Sequence, residues 1–429
     1  MPSVLVVGGG GREHALVDAL VRSPSAPKVF AAPGNAGIEA VATCVSISVG
    51  DVDGLVAFAR QEGIDLVVVG PEAPLVAGLA DRCRAEGILV LGPSRAAAEL
   101  EGSKAFAKTV MDEAKVPTAR WGRFDEADAA VGFARTLPGA VVKADGLAAG
   151  KGVVVAASID EAEAAIRETL GGKFGEAGRQ LIVEERLEGE ELSVIALADG
   201  KTVSLFAPSQ DHKRAYDGDE GPNTGGMGAY SPAPRGTDAL LAEVTESCLK
   251  PIVDCMASRG TPFSGVLYAG LMLTADGPRV LEYNVRFGDP EAQVLLPRLD
   301  EDAYALFVAA ASGELHERER PTIAASAQAA TCVVLAAEGY PTSPKKGDVI
   351  RGLAAASAIE GVTVFHAGTR AEGDEILTAG GRVLGVTALG DDLLAATQTA
   401  YRAVNEIAWD GMQYRKDIAH RALNRAVGS

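Results

Sequence analysis

Short apolar runs recur through the first hundred residues. A glycine follows each of three such runs, Val4–Val7, Leu66–Val69 and Ile88–Leu91. Between them, Glu13–Val21 and Leu55–Glu62 carry apolar residues at helical spacing. Because apolar strands that alternate with helices are typical of parallel sheets covered on both faces, we predict a doubly wound α/β domain over residues 1–103.

The pattern changes after Ser103, which is placed to cap a helix that ends near Ala114. Further strands are then predicted at Ala140–Lys143, Gly152–Val155, Gln180–Glu184, Gly265–Thr274 and Arg279–Asn284. Helices are predicted at Ile159–Leu170, Asp238–Met256 and Asp302–Ser312. This mixture predicts an α+β domain over residues 104–320, with a subdomain at about residues 118–190.

Two further segments complete the chain. Residues 207–236 are dense in Gly, Pro, Asp and Asn, and we predict a long loop that is either functional or disordered. After a polar boundary at His316–Thr322, strands at Ala329–Ala336, Val362–Ala367 and Gly381–Leu389 and a helix at Asp391–Ile407 predict a small C-terminal α+β domain over residues 321–429.

Composition narrows the class of protein. The 429 residues are 47% hydrophobic, without a run of about 20 apolar residues, so a membrane protein is not predicted. The start of the chain lacks the features of an export signal, so we expect a cytoplasmic protein. The net charge of -18 disfavours nucleic acid as a partner. The five cysteines are scattered and predict neither disulfides nor a zinc site.

A run of four glycines, Gly8, Gly9, Gly10 and Gly11, lies between the first predicted strand and helix. Backbone N–H groups and the helix dipole favour an anion at such a place, so we predict a phosphate site. A dinucleotide site is an alternative, but Glu13 or His14 stands where the motif has its third glycine, and no acidic residue follows the second strand to hold a ribose. A purely structural tight turn is the other alternative.

The segment Lys143–Gly152 carries a lysine from a strand into a loop that contains Gly146, Gly150, Lys151 and Gly152. Lysine ammonium groups and a glycine-rich backbone suit the phosphates of ATP, so we predict an ATP lid. The segment lacks the P-loop pattern, and a solvated hairpin with surface lysines is the alternative. Downstream, Leu181–Ser193 is an apolar strand that runs into acidic residues, where adenine and ribose could be bound or where the chain simply turns in solvent.

The sharpest pattern is the strand end that contains Glu282, Asn284 and Arg286. With period two, these three side chains point to the same face. A carboxylate and an amide oxygen are ligands that suit Mg²⁺ or Mn²⁺, and an arginine suits the phosphates beside the metal. A structural ion pair between Glu282 and Arg286 is the alternative, and it leaves Asn284 unexplained.

Together these motifs resemble the ATP-grasp superfamily. The nearer resemblance is to the phosphoribosylamine–glycine ligase family, the glycinamide ribonucleotide synthetases, and it spans nearly the whole chain. The segments that carry it lie in the same order along the chain: Gly8–His14, Pro33–Gly37, Gly70–Glu72, Gly102–Lys104, Lys143–Gly152, Gln210–Arg214, Gly221–Pro232, Asn284–Glu291 and Gln413–Ile418. Tyr283 departs mildly from the phenylalanine common in the family.

The resemblance implies a central ATP-grasp domain and assigns roles within it. The residues implied for ATP are Lys104, Lys143, Gly146, Gly150, Lys151, Gly152, Glu184, Leu187 and Glu191. Glu282 and Asn284 are implied as ligands of Mg²⁺ or Mn²⁺. The residues implied for glycine and 5-phosphoribosylamine are Gly8, Gly9, Gly10, Gly11, Asn35, Asp211, Lys213 and Arg286, and the residues implied for catalysis are Lys104, Lys143 and Arg286.

The implied activity is ATP-dependent ligation of glycine to 5-phosphoribosylamine through glycyl phosphate, a step of purine biosynthesis, by a monomer. Three other functions stay open at this point. Another ATP-grasp ligase or carboxylase would share the ATP site. A nicotinamide-dependent dehydrogenase would use the glycine run and leave Glu282 and Asn284 idle, and a regulatory protein would bind nucleotide without catalysis. His14 and His212 lie in matched motifs, and we expect structural histidines rather than a general base.

Overall fold

The structure is a computed structural model that describes residues 1–25, 27–147, 152–318 and 320–426. The N-terminal part forms a parallel sheet in the order β3-β2-β1-β4-β5, so the prediction of a doubly wound α/β domain is confirmed. The strands are β1 (Ser3–Gly8), β2 (Lys28–Pro33), β3 (Thr43–Cys44), β4 (Leu66–Val69) and β5 (Leu89–Leu91). The helices are α1 (Gly11–Val21), α2 (Val52–Gln61), α3 (Glu72–Val76), α4 (Leu79–Ala85) and α5 (Arg95–Gly102).

The next part begins with α6 (Lys104–Glu113), and the Ser103 hydroxyl accepts the N–H of Phe106 as its cap. A small antiparallel sheet follows, in the order β6-β9-β7-β8, with two helices packed against it. Its elements are β6 (Trp121–Phe124), α7 (Ala127–Ala134), β7 (Ala140–Ala144), β8 (Val153–Val155), α8 (Ile159–Glu168) and β9 (Leu181–Glu185). The predicted α+β character of this part is confirmed.

A second antiparallel sheet has the order β11-β10-β16-β17, and the two strands predicted at Gly265–Thr274 and Arg279–Asn284 are its neighbouring strands β16 and β17. Its strands are β10 (Glu190–Asp199), β11 (Val203–Leu205), β16 (Ser264–Thr274) and β17 (Gly277–Asn284). The helices of this part are α9 (Asp238–Val244), α10 (Lys250–Ser258), α11 (Ala292–Leu295) and α12 (Ala303–Ser312). A π-helical turn at Thr245–Leu249 joins α9 to α10, so the single predicted helix is continuous but irregular.

Residues 207–236 do not form the irregular loop that their composition predicts. The segment contains β12 (Gln210–Asp211), β13 (Arg214–Tyr216), β14 (Glu220–Asn223) and β15 (Gly228–Ser231). Gly228–Ser231 pairs with Ala330–Val333, about a hundred residues later in the chain. Local polarity could not reveal strands whose hydrogen-bonding partners are so distant in sequence.

Strands β12 and β15 form one sheet with three strands of the C-terminal part, in the order β12-β15-β18-β22-β19. The strands of the C-terminal part are β18 (Ala329–Ala336), β19 (Val362–His366), β20 (Thr369–Glu372), β21 (Glu375–Thr378) and β22 (Arg382–Gly390). The helices of the C-terminal part are α13 (Leu353–Ser357), α14 (Leu393–Val404) and α15 (His420–Ala426). Across the described ranges, no helix is both long and apolar enough to cross a membrane.

Candidate active site

A cavity of about 890 Å³ lies where the N-terminal, central and C-terminal parts of the chain meet. Arg12, Glu72 and Glu101 line it from the N-terminal part, and Arg382 lines it from the C-terminal part. It also gathers many of the side chains predicted from sequence: Lys104, Lys143, Gly152, Glu184, Leu187, Glu191, Asp211, Lys213, Glu282, Asn284 and Arg286. The cavity therefore brings the predicted nucleotide, metal and glycine residues into one place.

Lys143 reaches the cavity from β7 and is held by two acceptors. Its ammonium lies 2.9 Å from Glu184 Oε1 and donates to the carbonyl of Leu281 at 3.1 Å. The other oxygen of Glu184, Oε2, lies 3.1 Å from the ammonium of Lys108, which comes from α6. Burial favours the neutral acid, yet the two ammonium groups outweigh it and hold the pKa of Glu184 below its usual value.

Lys104 stands at the start of α6 and is fixed there by the strand that carries Lys143. Its backbone N–H donates to the carbonyl of Asp145 at 3.0 Å, and the Asp145 carboxylate accepts from Ala105 N–H at 2.7 Å and from the Ser103 hydroxyl at 3.0 Å. These bonds join the end of β7 to the N-terminus of α6. A helix N-terminus with a lysine attracts anions, so this corner of the cavity suits a phosphate.

The Glu282 carboxylate stands in the cavity among cations. In the part of the chain that the structure describes, it makes no hydrogen bond or ion pair within contact distance. Burial raises its pKa, but Lys213, Lys104 and Lys143 act more strongly and keep the pKa below its usual value, so the group is ionised. An ionised, uncoordinated carboxylate is a strong ligand for a hard cation.

Asn284 is the second predicted metal ligand, two residues further along β17. Its Oδ1 accepts one hydrogen bond, from Arg286 Nη2 at 3.1 Å, which leaves a lone pair for a cation. Among the described residues, no cluster of three or more His, Cys, Asp or Glu side chains is arranged to hold a metal. Mg²⁺ needs no such cluster, because it commonly takes one or two protein oxygens and completes its shell with water and substrate phosphates. These two residues therefore fit the predicted ion.

Arg286 does not pair with Glu282, so the structural ion pair considered from sequence is absent. Its guanidinium is held instead by Glu101, with Nη2 2.7 Å from Oε1, and by Glu72, with Nε 3.5 Å from Oε2. These carboxylates raise the pKa of Arg286 above its usual value although burial acts in the opposite direction. The arginine is a permanent cation, oriented by the N-terminal part of the chain.

Asp211 and Lys213 enter the same cavity beside two further acids, Glu191 and Glu291, and Lys213 lies near enough to Glu282 to lower its pKa. Lys213 Nζ lies 2.6 Å from Glu191 Oε2, so the residue predicted for glycine pairs with the residue predicted for ribose. Burial is the main cause that raises the pKa of Asp211 to about 7, and Glu291 and Glu191 add to it while Lys213 opposes it. Asp211 is thus poised to exchange a proton near neutral pH.

Six of the described residues that the sequence predicts do not line the cavity: Gly8, Gly9, Gly10, Gly11, Asn35 and Gly146. The side-chain N–H₂ of Asn35 donates to the carbonyls of Gly9 and His366 at 2.9 and 2.8 Å, and its oxygen accepts from the N–H groups of Gly37 and Ile38 at 2.9 and 3.0 Å. The amide of Asn35 is therefore fully used within the protein.

The lid is described in part. The N–H of Gly146 donates to the carbonyl of Ala177 at 3.2 Å, and Gly152 lines the cavity. Gly150 and Lys151 lie outside the described residues, and their predicted contact with ATP stays a prediction.

The two histidines have their ring nitrogens in structural bonds. His14 Nδ1 accepts the N–H of His366 at 2.8 Å, and His212 Nε2 accepts the N–H of Ala419 at 3.0 Å. Burial lowers the pKa of His14 to about 3 and that of His212 to about 4. Both are neutral, which agrees with the expectation that they serve the structure.

Sequence reasoning missed several side chains of the cavity, among them the basic residues Lys108, Arg12 and Arg382. Lys108 lies one helical turn after Lys104, and this spacing was a usable signal. Arg12 and Arg382 gave no local signal in the sequence, because their partners are distant in the chain. Arg12 donates to the carbonyl of Phe287, and Arg382 Nη2 pairs with Asp289 Oδ2 at 2.9 Å. Both contacts join residues that are far apart in the chain.

Comparisons with known proteins agree with this geometry. The phosphoribosylglycinamide synthetase family matches the chain in three successive parts: its N domain at residues 2–101, its ATP-grasp (A) domain at residues 102–292 and its C domain at residues 330–421. The phosphoribosylamine–glycine ligase of Caulobacter vibrioides is 52% identical over 425 residues, 99% of each chain. That of Brucella melitensis is 52% identical over 423 residues, 98% of each chain.

Solved structures give the same result. The crystal structure of phosphoribosylamine–glycine ligase from Thermotoga maritima matches with a TM-score of 0.81 and 31% identity, over 97% of this chain and 100% of that one. The biotin carboxylase complex from Campylobacter jejuni matches with a TM-score of 0.72 at 15% identity, over 96% of this chain and 92% of that one. The second likeness concerns the fold alone.

Proposed function

This chain belongs to the phosphoribosylglycinamide synthetase family, and on that premise we propose that it catalyses ATP-dependent ligation of glycine to 5-phosphoribosylamine. The products are glycinamide ribonucleotide, ADP and phosphate, in de novo purine biosynthesis. The observation that carries the proposal is one cavity in which two lysines, the Glu282 carboxylate, an Asn284 amide oxygen with a lone pair to spare, and a fixed arginine meet.

The nucleotide is expected along the β7 to β9 side of the cavity. Lys104 and Lys143 would bind its phosphates, and the lid of residues 146–152 would cover them. The strand end at Glu184 and Leu187 would meet adenine through backbone groups, since the Glu184 carboxylate is held by two lysines. Glu191 would accept from the ribose hydroxyls. Closure of the lid would keep water away from a reactive acyl phosphate.

Glu282 and Asn284 would hold Mg²⁺, or Mn²⁺ as an alternative. When bound, the ion would neutralise charge on the phosphate oxygens as the phosphoryl group transfers. The free Glu282 carboxylate and the oxygen of Asn284 support this assignment.

The first chemical step joins glycine to phosphate. A carboxylate oxygen of glycine attacks the γ-phosphorus of ATP, the bond from that phosphorus to the β-γ bridging oxygen breaks, and ADP leaves. Lys104, Lys143 and Arg286 would stabilise the charge that develops on the transferring group. The product is glycyl phosphate, which carries an activated carbonyl carbon.

The second step forms the amide. The amine nitrogen of 5-phosphoribosylamine attacks that carbon, the bond from the carbon to the phosphate oxygen breaks, and phosphate leaves. The proton of the amine would pass to the departing phosphate or to water. Asp211 and Lys213 would hold glycine by its ammonium and carboxylate groups, and proximity would supply much of the rate.

The ribose phosphate is expected at the turn before α1. The four glycines Gly8, Gly9, Gly10 and Gly11 would place the phosphate at the N-terminus of α1, and Asn35 would hold their turn in shape. The N–H of Gly10 donates to Glu13 Oε2 at 2.6 Å in the structure, so the other glycines of the turn would supply the N–H groups. On this assignment, residues 1–103 bind the phosphoribosyl substrate and residues 104–320 bind ATP. The subdomain at about residues 118–190 carries the lid, and residues 321–429 form the C-terminal domain. We further propose a monomer that works in the cytoplasm, with neither nucleic acid nor membrane as a partner.

The test is ADP formation with purified protein, ATP, Mg²⁺, glycine and freshly generated 5-phosphoribosylamine. We expect ADP and glycinamide ribonucleotide in equal amounts, and loss of both products when either substrate is omitted. D-alanine and bicarbonate in place of glycine serve as controls. Phosphate release that requires bicarbonate or D-alanine and ignores glycine would contradict the proposal.

A further inference from the structure

Lys108 is a buried lysine to which the reaction described above gives no role. It lies on α6 one turn after Lys104, and its side chain is 2% exposed. Its ammonium donates to Thr118 Oγ1 at 2.6 Å and lies 3.1 Å from Glu184 Oε2. Lys108 borders the cavity, but these two contacts hold its ammonium group within the protein.

The position of Lys108 matters because it shares Glu184 with Lys143. One carboxylate stands between two ammonium groups, at 2.9 Å from Lys143 and at 3.1 Å from Lys108. The three charges sum to one positive charge. If Lys108 were absent, the remaining pair would sum to zero, and Glu184 would cancel the charge that Lys143 offers to a phosphate. In a buried site such cancellation is strong, because water screens it little.

A second contact joins the same cluster to the metal ligands. The Thr118 hydroxyl that accepts from Lys108 donates to the carbonyl of Val280 at 2.5 Å, and Lys143 donates to the carbonyl of Leu281 at 3.1 Å. Both carbonyls belong to β17, the strand that ends in Glu282 and Asn284. The cluster therefore sets the place of Lys143 relative to those two residues.

We propose that Lys108 is a positioning residue for ATP, which occupies one oxygen of Glu184 so that Lys143 keeps its charge and its place for the phosphates. This rests on the proposed function only in taking ATP as the nucleotide. A purely structural role predicts a loss of stability without a selective change in the affinity for ATP, because removing one partner of a buried ion pair is destabilising. Lys108→Met leaves Thr118 bonded to Val280 and Glu184 paired with Lys143, so we expect the variant to fold.

The first experiment measures the affinity of the full-length protein for ATP with Mg²⁺ by calorimetry, without glycine or phosphoribosylamine. For Lys108→Met we expect Kd to rise about tenfold, and the KM for ATP to rise similarly, with kcat reduced less than KM is raised. Lys250→Met removes an equal charge from an exposed position on α10 and is the matched control, with Kd unchanged.

The second experiment adds Glu184→Gln to Lys108→Met. The double variant has one buried positive charge again, on Lys143, so we expect its Kd for ATP to return to within about threefold of the parent. A structural role for Lys108 predicts the opposite, because a second change in the same cluster would add to the damage.

The proposal is overturned if Lys108→Met binds ATP as the parent does, if Lys108→Met does not fold, or if Glu184→Gln fails to restore affinity in the double variant. The outcome is separate from that of the proposed function. A parent protein that binds ATP but forms no glycinamide ribonucleotide would refute the ligase proposal and leave this inference standing. A parent protein that is an active ligase, together with a Lys108→Met variant whose Kd for ATP is unchanged, would support the ligase proposal and refute the role of Lys108.

Discussion

Two polar regions of this protein lie close together and differ in how their groups are satisfied. The phosphate end of the cavity consists of Lys104, Lys143, Glu282 and Asn284. The glycine turn consists of residues 8–11 with Asn35 and His14. At the phosphate end, the Glu282 carboxylate is ionised and, within the described part of the chain, lacks a direct partner. At the glycine turn, one amide makes four hydrogen bonds to backbone groups of the protein itself.

The difference separates groups that await a ligand from groups that hold the fold. An ionised carboxylate that borders a cavity and makes no direct bond within the described residues is available to a ligand, and the lysines around it offset the cost of its charge. A polar atom whose bonds are complete within the protein contributes to stability and has little left for a substrate. The resemblance assigned both regions to ligands on equal terms, and the contacts now rank them differently.

The largest expected effect is at Glu282. In Glu282→Ala the metal loses its one charged ligand, so we expect glycine-dependent ADP formation to fall at least about 100-fold at saturating ATP. The free energy of unfolding should change much less, because among the described residues the Glu282 carboxylate makes no hydrogen bond or ion pair that the substitution would break. ADP release in a coupled assay and urea unfolding measure the two quantities.

Glu246→Ala is the matched control for Glu282→Ala, because Glu246 is a glutamate with a 71% exposed side chain. We expect its activity to equal that of the parent. If Glu282→Ala keeps its activity and instead loses stability, the phosphate end resembles the glycine turn, and the comparison between the two regions fails.

The fold and the site differ in how far they follow from sequence. The strands β1, β4 and β5 of the first domain and the C-terminal β18 were predictable, because apolar runs are local signals. Glu282 and Asn284 were predictable as a pair for the same reason, since period two on one strand sets both. The strands of residues 207–236 were not, since Gly228–Ser231 depends on a partner a hundred residues later in the chain.

The hydrogen-bonding partners of the site residues could not be predicted from the sequence either. Sequence placed Glu184 near adenine and Asn35 near a phosphate. In the structure, Lys143 and Lys108 hold the carboxylate of Glu184, and backbone groups of Gly9, Gly37, Ile38 and His366 hold the amide of Asn35, while the predicted ligand contacts stay predictions. Hydrogen bonds between distant residues decide such roles, and a motif identifies the residue without naming its partner.

Asn35 provides the next prediction. Asn35→Ala leaves four backbone groups without their partners, so we expect the free energy of unfolding to fall by about 2–3 kcal/mol. The KM for ATP should change less than twofold, because the phosphate end is untouched. Urea unfolding and steady-state kinetics well below the melting temperature measure both. If the KM for phosphoribosylamine rises more than tenfold while stability is kept, the amide itself binds substrate.

The smallest expected effect concerns pH and His14. Burial, with the neighbouring His366 as a lesser cause, lowers the pKa of His14 to about 3 in the folded protein, whereas an unfolded histidine titrates near 6.5. As pH falls below about 6.5, the unfolded chain therefore binds a proton at His14 that the folded protein does not bind, and the free energy of unfolding decreases by up to about 1.4 kcal/mol per pH unit for this one group.

His14→Asn offers an oxygen to the N–H of His366 but does not titrate. We expect its free energy of unfolding between pH 6 and pH 4 to fall less steeply than that of the parent by roughly 1 kcal/mol per pH unit, while His316→Asn, at an exposed histidine, keeps the parent slope. An unchanged slope in His14→Asn would mean that His14 is protonated in the folded protein, and the glycine turn would then contain a charge that awaits a partner, as the phosphate end does.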